Sequence, residues 1–145
     1  MIRFFVLVNK QGQTRLAKHY IQMPTAQRSA LEADIVRLCL SRKSGACNFI
    51  DYDDFRVVYR RYASLYFIIG CSKDENEMSL YELIHFTVES FDQYFKRVRE
   101  LDIMFNIDSA YFLLGEIISN GKIMNTNQSS VIELVNRVVA LNQKQ

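Results

Sequence analysis

The apolar period of this chain changes near residue 75, and no other property limits its folding options as much. Before that point the apolar residues come in short runs, Ile2 to Val8, Phe55 to Tyr62 and Leu65 to Cys71, each of strand length. After it, Leu80, Ile84, Thr87/Val88, Phe91, Phe95 and Val98 recur every three or four residues, the stripe of a helix laid on a sheet. Runs with apolar residues on both faces need cover on both faces. The chain must therefore supply helices to two sides of one sheet.

The remaining elements follow from local chemistry. Asn9-Lys10-Gln11-Gly12 is a turn signal, with Gly12 free to take positive φ, and Thr14 to Tyr20 returns as a second strand. Pro24 and Thr25 open a helix to about Ser41, with Leu31, Ile35, Leu38 and Leu40 roughly on one face and Ser29/Glu32 as an alternative capping box. Short strands are expected near Cys47 to Tyr52 and Phe55 to Tyr62, hinged at Asp53-Asp54, with Ser64 in a tight reversal before Leu65 to Cys71. Asn76 or Ser79 caps the long helix. Ile107, Tyr111, Leu114 and Ile118 mark a further helix stopped by Asn120-Gly121, and Ser130 to Leu141 a last one. The order ββα-βββ-ααα predicts a single α+β domain over residues 1–145, with one five-stranded antiparallel sheet flanked by helices.

Composition narrows the function classes. A net charge of +2 with both signs mixed offers no clustered basic face for nucleic acid. No run approaches membrane-spanning length, and Arg3, Asn9 and Lys10 interrupt any signal-peptide pattern. The three cysteines, Cys39, Cys47 and Cys71, lack metal-like spacing and are expected as reduced core residues of a cytosolic protein. His19 and His85 have no ligand or nucleophile at a recognisable spacing, and no G-x-S-x-G, H-E-x-x-H or C-x-x-C occurs. Arg42-Lys43-Ser44-Gly45 ends a helix rather than following a strand, so it is not a phosphate loop. Asp51, Asp53 and Asp54 fit turn chemistry and lack the ordered oxygens of a Ca²⁺ loop. No catalytic residue, metal or cofactor is expected.

Two groups remain. Arg15, Arg60 and Arg61 are basic, and since strand neighbours point to opposite faces, Arg60 and Arg61 cannot serve one site. A solvated sheet edge and a guanidinium that holds a carboxylate are both open readings. Ala63, Leu65 and Phe67 alternate along a strand, with Val88 and Val98 on the following helix and Ile103 beyond. These fit plain core and also fit shallow apolar pockets.

Tyr59 to Phe67, the helical stretch from Glu82-Leu83-Ile84-His85 through Tyr94-Phe95 to Glu100-Leu101-Asp102-Ile103-Met104-Phe105-Asn106, and Asn9 to Leu16 together resemble the small (sigma) chains of heterotetrameric clathrin-type adaptor complexes. The resemblance runs from Met1-Ile2-Arg3-Phe4 to about Gly121, and the segments Asn9 to Leu16, Glu75 to Met78 and Glu100 to Asn106 look most similar to the fourth adaptor complex. Ser130 to Gln145 departs from the pattern. The resemblance implies a longin-like (SNARE-like) fold with extra C-terminal helices. It implies partners: two large subunits, a medium (mu) subunit, an Arf-type GTPase acting through the complex, and cargo tails bearing acidic dileucine signals. It implies a cytoplasmic protein held peripherally at trans-Golgi or endosomal membranes and coated vesicles. Carried over by position, Arg15 would meet the acidic residue of the signal. Ala63, Leu65, Val88, Val98 and Ile103 would line the leucine pockets, and Tyr62 and Phe67 would support them. Arg97 stands where some relatives are polar and uncharged, and Thr87 and Ser90 where relatives are commonly apolar or aromatic. A free-standing longin-type trafficking regulator is the competing expectation. An obligate sigma chain should expose a large apolar surface, whereas a free regulator should not.

Overall fold

The computed structural model describes residues 1–42, 48–119 and 122–123, together with Ile132, Asn136 and Ala140, which are helical. Five strands, β1 (Ile2–Asn9), β2 (Thr14–His19), β3 (Phe49–Tyr52), β4 (Phe55–Tyr62) and β5 (Leu65–Ser72), form one antiparallel sheet in the order β2-β1-β5-β4-β3. Helix α1 (Thr25–Ser41) covers one face. The other face carries α2 (Glu77–Phe95), α3 (Glu100–Phe105) and α4 (Ile107–Ile117), after which β6 (Ile118–Ser119) and β7 (Lys122–Ile123) make a small hairpin. The expected α+β sheet-and-helix class is what forms.

The central pair β1 and β5 shows why both faces had to be covered. Ile2, Phe5, Leu7, Leu65, Phe67, Ile69 and Cys71 pack with α2, α3 and α4, while Phe4, Val6, Val8 and Ile68 pack with Ile35, Val36 and Cys39 of α1. A register shift between Ile2 and Phe4 lets Ile2 and Phe5 share a face despite their odd spacing. Phe5, Phe67 and Phe91 form the aromatic centre beneath α2, with Phe67 and Phe91 edge to face at 5.7 Å. Gly12 takes φ +86° in the β1–β2 turn, as its position requires.

Three local expectations are corrected, and one left open between two residues is decided. The α1 face centres on Ile35, Val36 and Cys39, which turns Leu38 outward. Asn76 is the cap of α2, its Oδ1 accepting from Met78 N at 2.8 Å and Ser79 N at 3.3 Å. Ile118 begins a strand rather than extending the last stripe. The helical stretch from Glu82 to Asn106 is broken at residues 96–99, where Lys96 and Arg97 adopt left-handed φ of 53° and 73°. Strand β3 is described from Phe49. Cys47, residues 43–45 of the discarded phosphate-loop reading and most of the Ser130–Leu141 helix lie outside the described residues.

Candidate functional site

The residues singled out by sequence converge on one end of the α2 face, where the β4–β5 turn, the α2 C-terminus, the α2–α3 link and the β1–β2 hairpin meet. Strand pairing brings Tyr62 opposite Leu65, so Ala63 and Ser64 make a two-residue turn. Ala63 is therefore not on the strand face with Leu65 and Phe67. It sits exposed in the turn at φ 53°. A left-handed residue without glycine is strained unless its surroundings hold it, and the Arg61 Nε donates to the Ala63 carbonyl at 3.5 Å.

Asp92 joins this turn to the end of α2. Its Oδ1 accepts from Tyr62 Oη at 2.6 Å and from Val98 N at 3.1 Å, while its backbone carbonyl accepts from Arg97 N at 2.9 Å. Capture of the Val98 amide by a side chain, rather than by a helical carbonyl, is the physical reason α2 stops and α3 starts afresh. The bond to Asp92, and then burial, hold the Tyr62 phenol above its usual range, so it stays a proton donor.

The five aliphatic and aromatic candidates below this rim are core. Leu65, Phe67, Val98 and Ile103 are buried, Val88 is 2% exposed, and all belong to one cluster with Phe91 and Leu80. The structure thus brings Leu65, Phe67, Val88, Val98 and Ile103 together but closed, with Tyr62 half-buried and Ala63 and Arg97 exposed around them. Within the same helix, Thr87 satisfies its hydroxyl on Leu83 O at 2.8 Å. Ser90 is buried, and its Oγ has no hydrogen-bond partner among the described residues. An unpaired buried hydroxyl is costly, so Ser90→Ala is expected to raise stability by about 1 kcal/mol. A higher urea midpoint with an unchanged slope checks this.

Arg15 is not a free cation. Its Nε donates to Glu100 Oε1 at 2.7 Å and its Nη2 to Gln13 Oε1 at 3.0 Å. Asn9, itself buried, donates from Nδ2 to the same Glu100 oxygen and to Gln13 Oε1, both at 2.8 Å, and accepts from Gln11 N and Gln13 N on Oδ1. The Asn9 bond, then Arg15, hold the Glu100 carboxyl below the ordinary carboxylate range. Asn9, Gln13, Asp92 and Glu100 carry this end of the molecule, where sequence reasoning had read Asn9 only as the start of a turn and had given the other three no role. Only an Asn at the end of an apolar strand hinted at the first.

The other polar expectations resolve simply. Arg60 donates to His85 Nδ1 on α2, whereas Arg61 lies over the Tyr66 ring, so the two arginines do part to opposite faces. His19 is paired with Glu32 of α1 at 2.5 Å and His85 with Glu89 at 2.8 Å. Asp51 binds Arg56 and Asp54 binds Arg3. Cys39 and Cys71 are free and buried, and burial pushes their thiols up to about 12 and about 11, which leaves them unreactive. Among the described residues no group of His, Cys, Asp and Glu could hold a metal, and no helix is long and apolar enough to cross a membrane.

The surface beside this site is apolar. Leu101, Met104 and Phe105 of α3 and Tyr111 and Phe112 of α4 are exposed, Phe105 to 79%. Residues 1–144 match the sequence model of the family described as the clathrin adaptor complex small chain. The chain is 48% identical over 132 residues to the human AP-4 complex subunit sigma-1, covering 91% of this chain and 92% of the human one. Identity to the Arabidopsis thaliana AP-4 complex subunit sigma is 47%, covering 90% and 92%, and to the human AP-1 complex subunit sigma-1A 38%, covering 99% and 91%. A chain in a homology model of the full-length AP-3 complex superposes with TM-score 0.81 at 26% identity, covering 99% of this chain and 96% of that one. This chain belongs to the clathrin adaptor complex small chain family.

Proposed function

We propose that this protein is the small subunit of a heterotetrameric adaptor coat, beside two large subunits and a medium subunit, and that its α2–α3 end helps to capture dileucine-type signals in cargo tails. The observation that carries the first half is the exposed apolar face of α3 and α4, which a lone soluble domain has no use for and a subunit interface covers. Recruitment to trans-Golgi or endosomal membranes would then come through the assembly and an Arf-type GTPase.

For the second half, the two leucines of a tail would lodge against Leu65, Val88, Val98 and Ile103, supported by Phe67 and Tyr62, with Ala63 and Arg97 at the rim. Because those core side chains are closed, binding draws on a displacement of the Lys96–Arg99 link, whose two left-handed residues already form a bend. Methyl groups buried at about 0.8 kcal/mol per CH₂ supply the affinity, offset by the ordering of link and tail. Weak, reversible capture suits a cargo selector.

Capture of the tagged chain from its own cells tests the assembly. One medium and two large adaptor chains in equal amounts are expected, and a free monomer would sink the proposal. For the peptide site, a charge at Val88 would break the core whatever the tail does. Ala63→Asp is the cleaner probe, since aspartate tolerates left-handed φ better than alanine. In the assembled complex it is expected to weaken a Leu-Leu peptide about tenfold, read by calorimetry. Unchanged binding would remove the tail from this site.

A further inference from the structure

The β4–β5 reversal carries a hydroxyl that the fold does not use. Ser64 is the second residue of the two-residue turn between Tyr62 and Leu65, and it is only half-buried. Its side chain has no hydrogen-bond partner among the described residues, whereas a serine that shapes a turn bonds nearby backbone. Arg61 lies three residues before it and Arg60 four, and the Arg61 Nε already reaches over the tip to the Ala63 carbonyl at 3.5 Å. From the other side, Arg97 follows the left-handed Lys96 at the end of α2, and its amide is tied to Asp92, which also holds Tyr62. The Asp92 bond and burial raise the Tyr62 phenol, and the Arg97 and Arg60 charges act against them, which puts both guanidiniums in range of the turn. The Asp92 carboxylate is itself taken up by Tyr62 and Val98.

An unbonded hydroxyl among guanidiniums is a setting in which an added phosphate gains charge-assisted bonds. Arginine three and four residues ahead of a serine is also a charge pattern that arginine-directed protein kinases read. Ala63 at left-handed φ strains the tip, which favours the local opening that admits Ser64 to a kinase cleft.

We infer that Ser64 is a phosphorylation site, and that its phosphate closes the leucine site by clamping the Lys96–Arg99 link to the β4–β5 turn. The γ-phosphoryl group of ATP passes to Ser64 Oγ. The Oγ–P bond forms, the bond from that phosphorus to the β,γ-bridging oxygen breaks, ADP leaves with the electron pair, and the hydroxyl proton goes to the kinase's base. The product carries close to two negative charges. It accepts from Arg61 on its own hairpin and from Arg97 across the gap. Capture of a tail draws on displacement of the link, so a link held by phosphate disfavours the tail. This second half rests on the proposal that tails lodge at this end of the chain, and the modification itself does not.

The test uses the assembled complex, ATP and a Ser/Thr kinase of the class that requires arginine at the third position before the serine. Mass spectrometry is expected to find phosphate at Ser64 on most wild-type chains, none at that position in Ser64→Ala, and transfer about tenfold slower in Arg61→Gln. Calorimetry with a Leu-Leu peptide then compares the two states. Phosphate at Ser64 should weaken binding about tenfold, Ser64→Ala should bind as wild type does, and in Arg97→Gln the phosphate should weaken binding no more than about twofold.

Failure of the kinase to modify Ser64 in the wild-type complex overturns the site. Phosphate that leaves Leu-Leu affinity unchanged while Ala63→Asp lowers it overturns the clamp and leaves the tail site standing, as does a loss that persists in full in Arg97→Gln. Binding indifferent to both the phosphate and Ala63→Asp overturns the tail site itself, and the second half of the inference with it.

Discussion

Phe91→Ala is expected to cost about 4 kcal/mol. Phe91 is fully buried, and it stands edge to face with Phe67 at 5.7 Å and tilted against Phe5 and Phe95 at 6.3 and 6.2 Å. Truncation removes the ring's transfer energy and leaves a void that two rigid aromatic neighbours and the paired strands β1 and β5 cannot collapse to fill. Aromatic pairing adds about 0.5–1.5 kcal/mol beyond area for such contacts. Chemical denaturation of the chain with its partners should show the loss, and a cost under about 2 kcal/mol would mean the aromatic centre is not packed as described. Phe91→Leu, which refills much of the space, should recover more than half.

Gly70→Ala comes next, at about 3 kcal/mol. Gly70 lies on β5 directly across from Phe4 of β1, and the Phe4 ring folds over it. A Cβ built there would stand 2.7 Å from Phe4 Cδ1 and nearer still to Cε1 and Cζ. The ring has nowhere to retreat, because it is edge on to Phe55 at 5.8 Å and rests 5.9 Å from the His19 ring. Either Phe4 leaves its rotamer or the two central strands part. Phe4→Leu in the same chain should restore much of the stability, which separates an overlap from a backbone effect. A neutral Gly70→Ala would refute the overlap.

How much of this was legible beforehand depended on the range of the interaction. Strand β4 and the Tyr62-to-Leu65 reversal followed from local apolar patterning and turn chemistry, and so did the split of Arg60 from Arg61. The break after Phe95 was not legible, because its cause is a carboxylate at Asp92 that competes for the Val98 amide and for the hydroxyl of Tyr62, thirty residues upstream. Apolar residues continue at helical spacing through the break, so periodicity saw one helix. Ala63 was put on a strand face since small apolar residues carry no sign of left-handed φ. The pairing of Arg15 with Glu100 crosses 85 residues and depends on an Asn9 whose two ends satisfy two elements at once. Nothing in spacing announces such a junction. Leu65, Phe67, Val88, Val98 and Ile103 do lie side by side while Ala63 does not, and only the three-dimensional packing tells that the five are closed.

The central place of β1 in the sheet bears on how the chain is made. Its inner partner β5 is complete only at Ser72, so during synthesis one edge of the strongly apolar Ile2–Asn9 strand waits while about sixty residues are added. At 5–20 residues per second that interval is roughly 3 to 12 s. An uncapped hydrophobic edge exposed for so long invites pairing with another nascent chain. Production should therefore depend on ribosome-side chaperones well before any partner subunit is met.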